Sequence, residues 1–202
     1  MAEPPRLAPA SPGLAPLQGR VALVTGGARR VGAAIVRRLA GAGAAVVIHY
    51  QHSRGEAEAL LGELQQQGAH GVALAADLRQ PSEISWLFSA APRLLGPVEL
   101  LVNNAAIFLR QPRAEITVAG WEQVQQVNLR APFLCIQAAV PQIRGQGGGA
   151  IVNIADLAGL QAWPDASAHC AAKAGLVALT RSLALALELA PAIRVNAVAP
   201  SL

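Results

Sequence analysis

Between residues 20 and 199 the chain alternates short, nearly continuous apolar runs with longer stretches whose apolar residues recur every three or four positions. The short runs RVALVTG (20–26), AAVVIHY (44–50), GVALAA (71–76), VELLVNN (98–104), AIVNIA (150–155) and IRVNAVA (193–199) read as strands. Helical periodicity occupies about 30–42, 54–67, 81–94, 121–143 and 167–190. Strands without a polar face belong to a parallel sheet covered on both sides by helices. Right-handed crossovers then predict a doubly wound α/β sheet, with no internal repeat and no second domain.

In such a sheet, ligands sit beyond the carboxyl ends of the strands. Polar residues and glycines collect there: Gly26-Gly27, the run His49 to Arg54, Asp77, Asn103-Asn104, Asp156, and Asn196 near the last strand. TGGARRVG (25–32) joins the first strand to the first helix. Its glycines let the backbone turn tightly, and the helix start offers free N–H groups to a phosphate. The alternative is a tight turn that binds nothing. After the second strand stands HYQHSR, with no acid before Glu56 to grip the ribose hydroxyl of NAD. His52, Ser53 and Arg54, with Arg29, can instead surround a 2′-phosphate, which favours NADP.

Composition narrows the picture. The chain is 53% hydrophobic and only 3% aromatic, which suits helices packed closely on a sheet. Cys135 and Cys170 form neither a disulfide framework nor a metal-ligand spacing, so no metal is expected and a reducing, cytoplasmic setting is. No apolar run is read as long enough to span a bilayer, so no membrane partner is expected. Residues 1–18 are proline-rich and lack a signal peptide's basic start and apolar block; they read as a disordered tail before a domain at 19–202. Net charge is +4, but Arg29, Arg30, Arg37 and Arg38 gather at the glycine-rich turn, which suits a phosphate better than a nucleic acid.

From residue 18 onward the chain resembles a short-chain dehydrogenase/reductase. The resemblance rests on TGGARRVG, Asp77-Leu78, NNAA (103–106), Asn128, IVNIAD, HCAAK and VNAVAP. It implies a Rossmann-like fold, a small-molecule substrate, a homo-oligomer (dimer or tetramer), and a dinucleotide held by Gly26, Arg29, Arg30, Val31, Gly32, His52, Ser53, Arg54, Asp77, Leu78, Asn104, Ala105 and Lys173. A narrower resemblance is to the pteridine-reductase branch. There an arginine replaces the middle glycine of the turn, as Arg30 does, a basic HY…RS segment follows the second strand, a phenylalanine like Phe108 follows the NNA motif, and an aspartate like Asp156 replaces the catalytic serine. This implies an NADPH-dependent reductase of a pteridine or similar small carbonyl or imine. Arg30, Phe108 and Asp156 would meet substrate; Asn128, Asp156, His169 and Lys173 would form the catalytic group.

Two departures qualify that expectation. Where the family places a tyrosine acid, four residues before the lysine, this chain has His169. A lysine ammonium about 5 Å away opposes an imidazolium by roughly 1.5–3 kcal/mol, and neutral imidazole is a poor proton donor. The second departure is the ending: family members continue past VNAVAP with a substrate-covering loop, a helix and a last strand. This chain is expected to be C-terminally shortened, with 193–199 left as a sheet edge. Either a reductase working through Asp156, or a dinucleotide-binding, dimer-forming protein with impaired chemistry, fits this pattern. A basic scaffold with no cofactor is the third reading.

Overall fold

A computed structural model describes residues 16–161, 163–187 and 193–200. Six strands form one parallel sheet: β1 (Val21–Val24), β2 (Ala45–Tyr50), β3 (Gly71–Ala75), β4 (Leu100–Asn103), β5 (Gly149–Ile154) and β6 (Ile193–Val198). Their spatial order is β3-β2-β1-β4-β5-β6. The order reverses between β1 and β4, which opens a crevice at their carboxyl ends. All six expected strands are present; five are shorter than their apolar runs, and β5 keeps the length of its run shifted by one residue.

Helices α1 (Arg30–Gly41) and α2 (Arg54–Gln66) cover one face, burying Val36, Leu60 and Leu64 against Val24, Val46 and Ile48. Helices α3 (Pro81–Leu95), α5 (Ala131–Gly145) and α6 (Ser167–Leu187) lie on the other, packing Leu87, Ile136 and Leu187 against Leu23, Leu101 and Ile151. Every residue of β1 is buried. Along β6, Ile193 and Val195 are buried while Arg194, Asn196 and Val198 are exposed, because no described helix covers that face. Helices flank both faces of the sheet as expected, and β6 is one of its two edges, with β3 the other, among the described residues.

The single helix expected over 121–143 is interrupted. Helix α4 (Val118–Gln125), N-capped by the Thr117 hydroxyl, passes into a widened π-type turn at Gln126–Arg130 before α5 begins. Pro132 has no N–H to give the Asn128 carbonyl, so the regular ladder cannot run through this point. The wide turn brings Asn128 wholly inside.

Helix α6 also corrects the expectation about apolar length. With mean hydropathy 1.5 it is long and apolar enough to cross a membrane by length and composition alone. Here it lies along the sheet, its Thr180 hydroxyl accepting a hydrogen bond from the Asn153 amide of β5 (2.9 Å). The helix expected to reach 190 is described to Leu187. The expected disordered tail falls mostly outside the described residues; from Leu17, the backbone already bonds to Ala42 (2.9 Å).

Candidate functional site

The crevice starts at the turn between β1 and α1. Gly26 has φ +60°, and a Cβ there would stand 3.0 Å from the Ala105 Cα. A Cβ on Gly32 would come within 2.1 Å of the Gly26 carbonyl oxygen, so only glycine lets α1 start this close to the strand end. Arg30 has φ 49°, the one non-glycine residue with a positive φ among the described residues. A left-handed arginine costs roughly 1 kcal/mol. That strain marks the position where the resembling family's motif has glycine.

Thr25 and Asn104 brace the turn. The Thr25 hydroxyl accepts from the amides of Asn104 (2.9 Å) and Ala105 (3.0 Å). The Asn104 side-chain amide donates to the carbonyls of Thr25 and Gly26, both at 3.0 Å. Asn104 thus shapes the cavity wall with its side chain already engaged.

A cavity of about 470 Å³ runs from this turn along the ends of β2 and β3. Of the residues expected to hold a dinucleotide, Gly26, Arg29, Arg30, Val31, Gly32, His52, Ser53, Asp77, Leu78, Asn104 and Ala105 line it. Arg54 and Lys173 do not: Arg54 is exposed on α2 and donates to Glu58 at 2.7 Å, one helical turn on, and Lys173 is buried on α6. A side chain at the first position of a helix can pair with the residue four positions on, one turn along the same face. Asp77 sits between two neighbours. Arg79 hydrogen-bonds its carboxyl and holds it below the usual carboxylate range, while Glu83 accepts its backbone N–H at 2.6 Å.

At the far end of the crevice, β5 and α6 bring the expected catalytic residues together. The Lys173 ammonium donates to the Ile154 carbonyl at 2.6 Å. Burial lowers its pKa to about 8, against the opposing pull of Asp156. Gly159 lets the chain pass directly over Lys173, since a Cβ there would stand 2.8 Å from the Lys173 carbonyl carbon. Asn128 bonds Ile107 twice: its Oδ1 accepts the Ile107 N–H (2.9 Å) and its Nδ2 donates to the Ile107 carbonyl (2.8 Å). That pair fixes which end of the amide faces His169, and the end is Nδ2, 3.2 Å from His169 Nδ1. A donor aimed at Nδ1 requires that nitrogen to be bare, so the ring proton is on Nε2, 3.2 Å from Asp156 Oδ2. His169 is only 3% exposed. Its proton points at Asp156 and its other nitrogen is occupied, so the ring is built to orient a carboxylate.

The Phe108 ring stands edge-on to His169 (centroids 4.8 Å apart, 81°) and to Trp163 (6.4 Å, 87°). Phe108 remains about half exposed.

The family model described as "short chain dehydrogenase" matches residues 20–202. The chain belongs to the short-chain dehydrogenase family. Among curated relatives, the 3-oxoacyl-acyl-carrier-protein reductase FabG of Staphylococcus epidermidis is 35% identical over 179 residues, covering 89% of this chain and 73% of that protein. A short-chain type dehydrogenase/reductase of Picea abies is 36% identical over 192 residues, covering 91% and 70%. A solved dehydrogenase/reductase from Sinorhizobium meliloti 1021 superposes with a TM-score of 0.87 at 39% identity, covering 91% of this chain and 72% of that one. A blue fluorescent protein from a metagenomic library, in complex with NADPH, gives a TM-score of 0.87 at 40% identity, covering 92% and 75%.

As a short-chain dehydrogenase, the protein is an oxidoreductase of a family that uses nicotinamide dinucleotides. The residues present fit such a group: a left-handed glycine, a second glycine whose Cβ would close the turn, and a cavity that continues past the ends of β2 and β3. Sequence reasoning underused three parts of this site. His49, noted only as polar at a strand end, is buried beneath the turn. Thr25, though inside the quoted TGGARRVG, was given no role, and Trp163 carried no signal beyond adjacency to a proline.

Proposed function

We propose that this short-chain dehydrogenase is an NADPH-dependent reductase of a small carbonyl or imine, acting in the cytoplasm, with Asp156 as the group that meets the reacting atoms. The observation that carries the reading is the wall of the cavity at the end of β2. Arg29, His52 and Ser53 line it, and β2 ends in HYQHSR with no carboxylate to receive a ribose 2′-hydroxyl. Free thiols at Cys135 and Cys170 agree with a reducing compartment.

When bound, the dinucleotide supplies hydride. The chain's own residues supply position and a proton. Amides at the start of α1 have no partner within the helix and receive phosphate oxygens. Lys173, anchored on Ile154, holds the nicotinamide ribose. Asp156 accepts from the Ala158 amide (2.8 Å) through Oδ1 and from His169 through Oδ2, which leaves its carboxyl edge open to substrate. With its side chain 28% exposed, it relays a proton from solvent to the nitrogen or oxygen of the reduced double bond.

Two substrate classes follow from this reading. A pterin-like flat ring suits Arg30, Phe108 and Asp156 around the crevice, with Phe108 offering an exposed aromatic face. A 3-oxoacyl thioester is supported by the similarity to FabG. The test follows NADPH absorbance with a dihydropteridine and, separately, with a 3-oxoacyl thioester. Turnover with the former that falls about a hundredfold in Asp156→Asn, at unchanged NADPH affinity, supports the pterin reading. Turnover with the thioester alone replaces it by the second. NADPH binding without turnover on either favours a binding protein with impaired chemistry and sinks the reductase.

A further inference from the structure

His49 lies on β2, one residue before its end, and its side chain is 2% exposed. It spans three strand ends. Its Nδ1 accepts the Gly26 N–H at 3.0 Å, and its Nε2 lies 3.0 Å from the Ala76 carbonyl oxygen, just beyond β3. A carbonyl only accepts, so Nε2 carries the ring proton and Nδ1 is bare. The His49 backbone carbonyl takes the next amide as well, from Gly27 at 2.9 Å. Two consecutive amides at the head of the phosphate-facing turn are therefore spent inward on one residue.

This leaves the later amides, at the start of α1, as the ones available to an anion. It also opposes the relaxation of the turn. Gly26 holds φ +60°, and without an acceptor its N–H would be a partly buried donor with no partner, which favours rotating the peptide. Burial pushes the ring down to about 4, overcoming the opposing pull of Ala76, Asp77 and Glu83, so the acceptor stays bare at neutral pH.

We propose that His49 is a positioning residue for the dinucleotide: its Nδ1 turns the Gly26 amide inward and so fixes which amides of the turn face the phosphates. The inference rests on the dinucleotide reading above. Because the ring also bonds Ala76, beside Asp77 and Leu78, it ties the phosphate end of the cavity to its opposite wall.

Two isosteric fragments of histidine separate the bonds. Asparagine places Oδ1 near the Nδ1 position and keeps an acceptor for Gly26; glutamine reaches the Nε2 position and keeps a donor for Ala76. NADPH affinity, read by the cofactor's fluorescence, is expected within about threefold of wild type in His49→Asn and weakened about tenfold or more in His49→Gln. Both variants should lose a similar amount of Tm. Nitrogen-15 shifts of the wild-type ring should show a bare Nδ1 and a protonated Nε2 from pH 6 to 8, with or without cofactor. Equal affinity in the two variants, or a protonated Nδ1, overturns the proposal while wild-type binding stands. Wild-type protein that binds neither NADPH nor NADH overturns the dinucleotide reading and this inference together.

Discussion

His169 and Lys173 stand one helical turn apart, both buried, and their environments assign them different work. Lys173 keeps a single strong acceptor, the Ile154 carbonyl, and pays for burial with a pKa lowered to about 8. The folded lysine thus releases its proton near pH 8 and the unfolded one only near the ordinary 10.5, so between those values the unfolded chain binds more protons. Stability should rise with pH across that window, by up to roughly 3 kcal/mol from this group. In Lys173→Met the rise attributable to this group should vanish, together with turnover, while Tm at pH 7 stays level or increases; denaturant unfolding from pH 7 to 10.5 checks it. A wild-type profile that falls over the window and is unaltered in the variant would count against this account. The sequence located this lysine through its motif. It did not disclose the state of His169, because the tautomer depends on Asn128 forty-one residues away and on which end of that amide faces the ring.

Among the elements, the β1–α1 junction carries the tightest geometry. Gly32 faces the Gly26 carbonyl and the Asn104 amide, so Gly32→Ala must push the helix start away from the strand or displace Asn104. NADPH affinity is expected to fall at least tenfold, roughly 1.4 kcal/mol, in calorimetric titration, with far-ultraviolet circular dichroism unchanged. Binding equal to wild type would mean that the turn accommodates the methyl group elsewhere. The motif made this junction legible, since glycine spacing before a helix has one common geometric cause. Two neighbouring features were not legible. Arg54 reads as a phosphate ligand by its place after β2, yet helix α2 begins at that residue and supplies Glu58. The break at Gln126–Arg130 hides within continuous helical periodicity, because one extra residue per turn hardly disturbs an apolar pattern.

For the whole molecule, α6 leaves a stripe of small residues exposed. Helix α6 buries His169, Lys173, Leu176 and Thr180 but exposes Ala171, Ala174, Ala178 and Leu185. Small residues along one helix allow close approach of a second helix, and Phe133 of α5, on the same side of the sheet, is also exposed. The expected outcome is a homodimer that uses these helices. Light scattering should return about twice the 20.8 kDa chain mass at micromolar concentration, and Ala178→Glu should halve it without loss of the fold. A wild-type monomer at tens of micromolar would rule this out.

The sequence by itself determined the class of fold, the six strands and the glycine-rich turn at the head of the crevice. Those depend on local quantities: apolar runs, helical periodicity, and glycines where a backbone must turn sharply. Tertiary structure alone decided what each polar group does there. His49 becomes an acceptor because burial keeps its ring neutral and Ala76 claims its proton. His169 becomes a partner of Asp156 because Asn128 presents a donor to its other nitrogen. Arg29 lines the cavity, 3.7 Å from Glu56, while Arg54 turns to Glu58. Protonation and direction are set by neighbours distant in sequence, so the residues were readable before folding and their chemistry only after it.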